Sequence, residues 1–250
     1  MDDGSTDNTL DLVKSINDNR IKIISYRNNC GRGHARNIAL DNCLGDWTVC
    51  FDVDDLHFPE KLSLIHEKSN LNIDFFCSYG ILIDNQINIK GVRGFSEAYG
   101  IFPRGFLHPT MACKTEVLKR IKYSINPGPG GPSEDAKVIW ILALRYNGYW
   151  HEDALIFYQE EREVNIQKAF WSNFGHLKTV QQLRQEKVIL NRIKYLKTVI
   201  KYYFKLIILG CFYITPKFYK YTIGFRSNGK VSDNWVPSPD KISYLKKFKN

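Results

Sequence analysis

Cysteine is sparse and scattered in this chain, at positions 30, 43, 50, 77, 113 and 211, and no two form a Cys-x-x-Cys pair. That spacing excludes a zinc ribbon and a disulfide-stapled secreted scaffold, and predicts reduced thiols in a cytosolic protein. Residues 1–20 are polar and acidic with no apolar h-region, so no secretory signal is expected. The longest apolar run toward the C-terminus, Leu206 to Ile214, has nine residues. A spanning helix needs ~20. Internal repeats and low-complexity tracts are absent as well. With 250 residues, 44% hydrophobic and 14% aromatic, disorder is excluded and one sizeable core is expected.

Acidic residues are nearly missing from the last third. Residues 166–250 hold 17 Lys and Arg against 3 Asp and Glu, a net of +14, whereas the whole chain carries +9, so residues 1–165 are net acidic. This shift places a domain boundary near 165, between a catalytic domain over 1–165 and a basic, largely helical extension over 166–250.

Carboxylates gather instead at Trp47-Thr48-Val49-Cys50-Phe51-Asp52-Val53-Asp54-Asp55. An apolar, strand-length run ending in three acids suits a buried strand whose carboxyl end opens into a ligand crevice. Hard oxygen donors there fit Mg2+ or Mn2+. A calcium loop is excluded because Leu56 and His57 stand where Asp or Asn and then Gly belong. The competing structural reading is an acidic turn before a helix starting near Pro59-Glu60-Lys61.

Upstream, Asp2-Asp3-Gly4-Ser5-Thr6-Asp7-Asn8-Thr9 is a loop leading into an amphipathic helix at 9, 12, 13 and 16. Ile21 to Tyr26 alternates as a short strand. The Gly31-Arg32-Gly33-His34-Ala35-Arg36-Asn37 segment opens a second helix and is either a phosphate contact or a solvated turn. Downstream, Pro127-Gly128-Pro129-Gly130-Gly131-Pro132 is irregular, and Ser133-Glu134-Asp135 starts a helix. Acids at a helix N-terminus are also what the macrodipole favours, so a purely structural cap stays open.

In this order the motifs resemble those of family 2 glycosyltransferases with the GT-A fold, over roughly residues 2–160: Asp-Asp-Gly-Ser-Thr, Gly-x-x-x-Ala-Arg-Asn, Gly45-Asp46-Trp47 leading to Asp52-Val53-Asp54-Asp55, His108-Pro109-Thr110, and Ser133-Glu134-Asp135. The resemblance implies an α/β, mostly parallel sheet flanked by helices. It implies that Asp2 or Asp3 contacts the nucleotide base, that Arg36 lies near the nucleotide, and that Asp52 and Asp54, the Asp-x-Asp pair, hold the donor diphosphate through Mn2+ or Mg2+. Asp55 would touch the sugar or the metal shell. Asp135 would be the general base and Glu134 would orient the acceptor or loop. His108 would line the acceptor side, or else is a hydrogen-bonded packing residue. One displacement with one base implies inversion at the sugar.

The family normally begins with a strand, a loop around the base, a helix and a second strand, so the domain reads as N-terminally truncated. The expected function is transfer from a nucleotide-sugar donor, a UDP-sugar, to a glycan or lipid-linked acceptor in surface polysaccharide synthesis. The alternative is a truncated, non-catalytic relative retaining only acceptor or membrane binding.

In the extension, Ile189, Ile193, Leu196, Ile200, Tyr203 and Ile207 follow one helical face, while Lys187, Lys194, Lys197, Lys201 and Lys205 fall mostly off it. A basic amphipathic helix of this kind suits an anionic membrane surface, giving a cytoplasmic protein peripheral on the inner face of the cell membrane. The other reading is a helix packed on the catalytic domain. No nucleic-acid-binding motif accompanies the positive charge.

Overall fold

The computed structural model describes residues 1–97, 101, 103–125, 131–160, 166–214 and 237–248. The Pro127–Gly130 part of the irregular run and residues 161–165 lie outside them.

The centre is β3 (Phe75–Ile83), whose sequence FFCSYGILI is apolar at almost every position and buried along nearly its whole length. A strand buried on both faces loses the usual polar alternation and reads as a continuous apolar run. Along one side it pairs in parallel with β6 (Gly148–Gln159). Its other side is shared by two antiparallel partners, β5 (Ala112–Lys114) at the Phe75 end and β4 (Ile89–Arg93) at the Ile83 end. Strands β1 (Trp47–Val49) and β2 (Leu56–His57) complete a six-stranded sheet in the order β1-β5-β3-β6-β2.

Of these pairings only β3 with β6 is parallel, so the sheet among the described residues is mixed rather than mostly parallel. The cause is local: the chain reverses through a 3-10 turn at His108–Thr110 and returns as the short β5 between β1 and β3. A second difference concerns β1. It is an edge strand of three residues, half-buried throughout, not the buried strand that its apolar composition suggests.

Successive β3 side chains feed opposite layers, as a pleat requires. Phe75 and Cys77 join the larger core with Leu40 of α2 (Arg32–Asp41), Leu118 of α4 (Thr115–Ile121) and Val138 and Leu142 of α5 (Glu134–Arg145). Phe76 points the other way, onto Ala112, Leu155 and Ile65 of α3 (Glu60–Ser69). Helices α6 (Ile166–Gln185) and α7 (Arg192–Ile214) add Leu177, Val180, Leu183, Tyr202 and Leu206 to the larger core. The end of the chain returns as α8 (Pro239–Lys246), with Leu245 packed beside Phe58 and Phe157.

The opening segment behaves differently. Helix α1 (Thr9–Ser15) forms where the spacing places it but buries none of its residues, with Leu12 59% exposed. Ile21 to Tyr26 is not a strand; its one described β contact is a single parallel bridge from Ser25 to Asp2. No disulfide joins the six cysteines.

Candidate active site

Helix α2 is seated before anything in the cleft can be. Its N-cap, Gly31, has φ 89°, a left-handed conformation that glycine adopts without penalty. Two residues on, a Cβ at Gly33 would stand 2.0 Å from the Ser124 carbonyl oxygen, so only glycine lets the helix approach that backbone. Asn37 then fastens the contact: its Nδ2 donates to the Tyr123 carbonyl at 3.0 Å and its Oδ1 accepts from the Tyr123 N–H at 2.8 Å. The Gly-x-x-x-Ala-Arg-Asn motif is therefore in part a docking device. It delivers Arg36 over the Tyr123 ring, 5.6 Å from its centroid.

Arg36 is where the two halves of the motif set meet. One terminal nitrogen lies 3.5 Å from Asp52 Oδ1, and the other lies 3.4 Å from Glu134 Oε1, which also takes Arg32 Nε at 3.0 Å. Burial works against the Arg36 charge, but Asp52 and Glu134 more than offset it and raise its pKa. Glu134 is 7% exposed and opens α5, at the helix end where the macrodipole favours an anion.

Asp135, next to it, is half-buried. Its Oδ1 accepts from the Ser133 hydroxyl at 2.6 Å and from the Ala136 N–H at 2.7 Å. Ser133 is the N-cap residue of α5, yet its hydroxyl serves this carboxylate and caps no backbone N–H. Burial resists ionisation of Asp135, but the hydrogen bonds from the Ser133 hydroxyl and the Ala136 N–H hold its pKa below the usual carboxylate range. His108 is 5% exposed; its Nε2 meets the Tyr123 hydroxyl at 3.0 Å, and its buried Nδ1 has no partner among the described residues. Burial, then Arg36, pushes the His108 pKa down to about 3, so the ring is neutral.

The three carboxylates of the Asp52–Asp55 loop end in three different settings. Asp54 is exposed beside the fully exposed Val53, and Asp52 is half-buried against Arg36. Asp55 turns back into the protein, 7% exposed, where Oδ1 accepts from the Gln159 N–H at 3.1 Å and Oδ2 has no partner among the described residues. Burial raises its pKa to about 7, against the Gln159 bond and with help from Asp54 and Asp52.

Asp2 and Asp3 spend their oxygens on the loop itself. Asp2 accepts from the Ser5 N–H and the Ser25 hydroxyl, which lower its pKa, while Asp3 accepts from the Cys30 and Gly31 N–H groups at 2.9 Å each. Asp3 thereby braces the turn that launches α2.

Lys61 belongs to the site although no motif marks it. Its ammonium is 0% exposed, donates to the Pro109 carbonyl at 2.8 Å and the Cys50 carbonyl at 3.2 Å, and lies 3.2 Å from His57 Nδ1 and 4.5 Å from the Phe51 ring centroid. Burial lowers its pKa to about 8, and burial with the neighbouring Lys61 charge lowers that of His57 to about 4. Nothing in Pro59-Glu60-Lys61-Leu62 announces this, since a lysine in a first helical turn ordinarily faces water.

Several known proteins are similar to this chain. The family model "Glycosyl transferase family 2" matches residues 1–78. An uncharacterised glycosyltransferase of Methanocaldococcus jannaschii is 33% identical over 115 residues, 42% of this chain and 40% of that protein. The Escherichia coli UDP-Glc:alpha-D-GlcNAc-diphosphoundecaprenol beta-1,3-glucosyltransferase WfaP is 34% identical over 121 residues, 48% of this chain and 47% of that protein. The matched stretches thus span less than half the length of either relative. Among solved structures, the mannosyltransferase PcManGT from Pyrobaculum calidifontis, in complex with GDP-Man and Mn2+, superposes with a TM-score of 0.52 at 15% identity, over 82% of this chain and 59% of that one. The superposition speaks for a GT-A scaffold, and over residues 1–78 the chain is similar to family 2 glycosyltransferases.

Proposed function

We propose that this chain transfers a glycosyl group from a nucleotide-diphosphate donor, a UDP-sugar, to a hydroxyl of a glycan or lipid-linked acceptor in surface polysaccharide synthesis, with inversion at the sugar. The observation that carries the reading is Arg36, held between Asp52 of the carboxylate loop and Glu134 at the head of α5. A guanidinium there has a carboxylate on each side and remains able to meet phosphate oxygens in the cleft.

The carboxylate loop fits a divalent cation by its donor chemistry. Its exposed or half-buried donors are all oxygens, and Asp55 keeps a buried oxygen without a partner among the described residues. No cluster of three or more ligating side chains closes around a metal among those residues. Asp54 and Asp52 would hold Mn2+ or Mg2+, with donor phosphates and water completing the shell. A cation held there would supply positive charge to offset that of the departing diphosphate.

The remaining steps fall to side chains. Arg36 binds the diphosphate. Asp135, anchored through Oδ1 to Ser133 and Ala136, takes the proton from the acceptor hydroxyl as that oxygen attacks the anomeric carbon, an effect of ~10²–10⁴-fold. Glu134 stays paired with Arg32 and Arg36 and keeps the α5 head in place. Asp2 and Asp3 shape the loop that faces the base, and His108 borders the acceptor side as a neutral ring. A single displacement inverts the anomeric centre.

The acceptor class implies work at a membrane surface, and α7 supports it. Its outward side exposes Ile193, Leu196, Ile200, Tyr203, Phe204 and Ile207, each between 47% and 67% exposed. Ile189, part of the same stripe in the sequence, precedes the helix and is buried in the core. Lys194, Lys197 and Lys205 lie on the same exposed surface. Among the described residues no helix is long and apolar enough to cross a membrane. An apolar stripe beside lysines suits lying on an anionic bilayer.

The test is titration of the full chain with UDP and with GDP, with and without Mn2+, beside Asp54→Ala. Metal-dependent UDP binding that the substitution abolishes supports the reading. A folded protein that binds neither nucleotide refutes it, and a preference for GDP refutes the UDP-sugar assignment alone.

A further inference from the structure

Lys61 occupies an expensive position. Its ammonium is fully buried, sits in the first turn of α3 where the helix dipole disfavours a cation, and has no carboxylate within ion-pair distance among the described residues. A buried charge whose direct contacts are carbonyls, an imidazole nitrogen and a ring face, with Asp55 and Asp52 acting on it only from beyond ion-pair distance, adds little to stability. Replacing such groups with apolar ones of similar size is often neutral or stabilising.

What it joins explains why it is there. The Cys50 carbonyl immediately precedes the loop carrying Asp52, Asp54 and Asp55, and the Pro109 carbonyl belongs to the His108–Thr110 turn on the acceptor side. The Phe51 ring lies across the same ammonium, and His57 closes it from the far end of the loop. Strand pairing does not depend on Lys61, because the Cys50 N–H already donates to the Met111 carbonyl at 2.9 Å. The segment outside the strand pairing is the loop from Asp52 to Asp55, otherwise held by Arg36 at Asp52 and by the Gln159 N–H at Asp55, and its Val53 is fully exposed.

We infer that Lys61 is a positioning residue for the transfer site: its ammonium clamps the carboxylate loop, through Cys50, Phe51 and His57, to the acceptor-side turn, through Pro109. Being fully buried, it touches neither donor nor acceptor and acts through the placement of Asp52 and Asp54. The inference rests on the proposed donor site, and the experiment separates the two.

The experiment uses the full chain, with UDP and GDP as probes, over a Mn2+ series, for wild type, Lys61→Met and Lys61→Arg. Lys61→Met is expected to melt at or above the wild-type temperature, while the Mn2+ concentration for half-maximal nucleotide binding rises at least tenfold. Lys61→Arg, which keeps the charge and its donors, is expected to recover part of that loss. A folded Lys61→Met with the wild-type Mn2+ requirement overturns the inference, as does a loss of stability with binding unchanged. If Lys61→Met does not fold, Lys61→Gln is read by the same criteria, and failure of both to fold overturns the inference by making Lys61 a folding residue. Wild type that binds neither nucleotide with Mn2+ defeats the donor-site reading itself, and the clamp with it.

Discussion

Asp55 is the carboxylate whose burial has the clearest thermodynamic consequence. Its pKa rises from an ordinary 3.8 to about 7 because the group is 7% exposed, has one N–H donor and stands near two other acids. The folded state thus holds a proton that the unfolded state has released between those two values. Stability must fall as pH climbs through that window, since the slope follows the difference in bound protons. Each pH unit is worth about 1.4 kcal/mol, so full ionisation costs on the order of 2–4 kcal/mol. Asp55→Asn keeps the shape and removes the ionisation. The variant should match wild type near pH 4 and exceed it by that amount near pH 8, a melting-temperature gain of roughly 5–15 °C for a chain of this size. His57 and His108, whose pKa values are lowered to about 4 and about 3, add stability as pH rises toward 6.5. They do so in both proteins and cancel in the difference. Circular-dichroism melts with chelator present, from pH 4 to 8.5, read that difference directly. A difference that stays flat with pH, or an Asp55→Asn variant less stable at pH 8, refutes the reasoning.

Other expectations follow from the same geometry. Arg36→Met removes the charge-assisted phosphate contact proposed for it, worth about 1.5–3 kcal/mol, so UDP affinity in Mn2+ should drop ~10–100-fold by calorimetry, and an unchanged affinity in a folded variant contradicts the proposed role. Asn37→Ala deletes both bonds that seat α2 on Tyr123 and leaves two buried backbone groups unpaired, which should cost about 2–4 kcal/mol in urea unfolding. A cost under about 1 kcal/mol would mean that α2 is held mainly by other contacts. Ile200→Glu with Phe204→Glu changes two outward positions of α7 at 66% and 64% exposure, so the melting temperature should hold while binding to vesicles of anionic phospholipid falls at least tenfold. Equal binding by the double variant would remove α7 from the membrane contact.

Much of the fold could be read from the chain because its signals are local. The β3 run, the spacing of α1, the start of α3 near Pro59 and the head of α5 at Ser133 all follow from apolar periodicity and cap residues within a few positions. Partnership was not legible. Trp47 to Phe51 has the composition of a buried strand, yet it pairs on one side only, because β5 comes back through the His108–Thr110 turn and leaves β1 at the edge. Ile21 to Tyr26 alternates correctly but has a single bridge to Asp2 as its described β contact, so alternation alone does not make a strand.

The site divides along the same line. Which residues would gather at one site was visible in the motifs, since three carboxylates after an apolar run and two arginines in a Gly-bearing loop are unusual wherever they occur, and Arg36 meets Asp52 and Glu134 in the fold. What each carboxylate does depends on which donors reach it from distant segments. Gln159, more than 100 positions away, makes Asp55 a buried acid, while Arg36 and Arg32 make Glu134 an ion-pair anchor beside an Asp135 tied to Ser133. Asp2 and Asp3 likewise take their described partners from elsewhere in the loop region, loop N–H groups and the Ser25 hydroxyl, which local pattern did not show. Lys61 lies at the limit of sequence reading. Its surroundings come from the 50s loop and from Pro109 in a turn that the chain reaches 48 positions later, so no pattern near Lys61 could mark a helix-start lysine as the bolt between them.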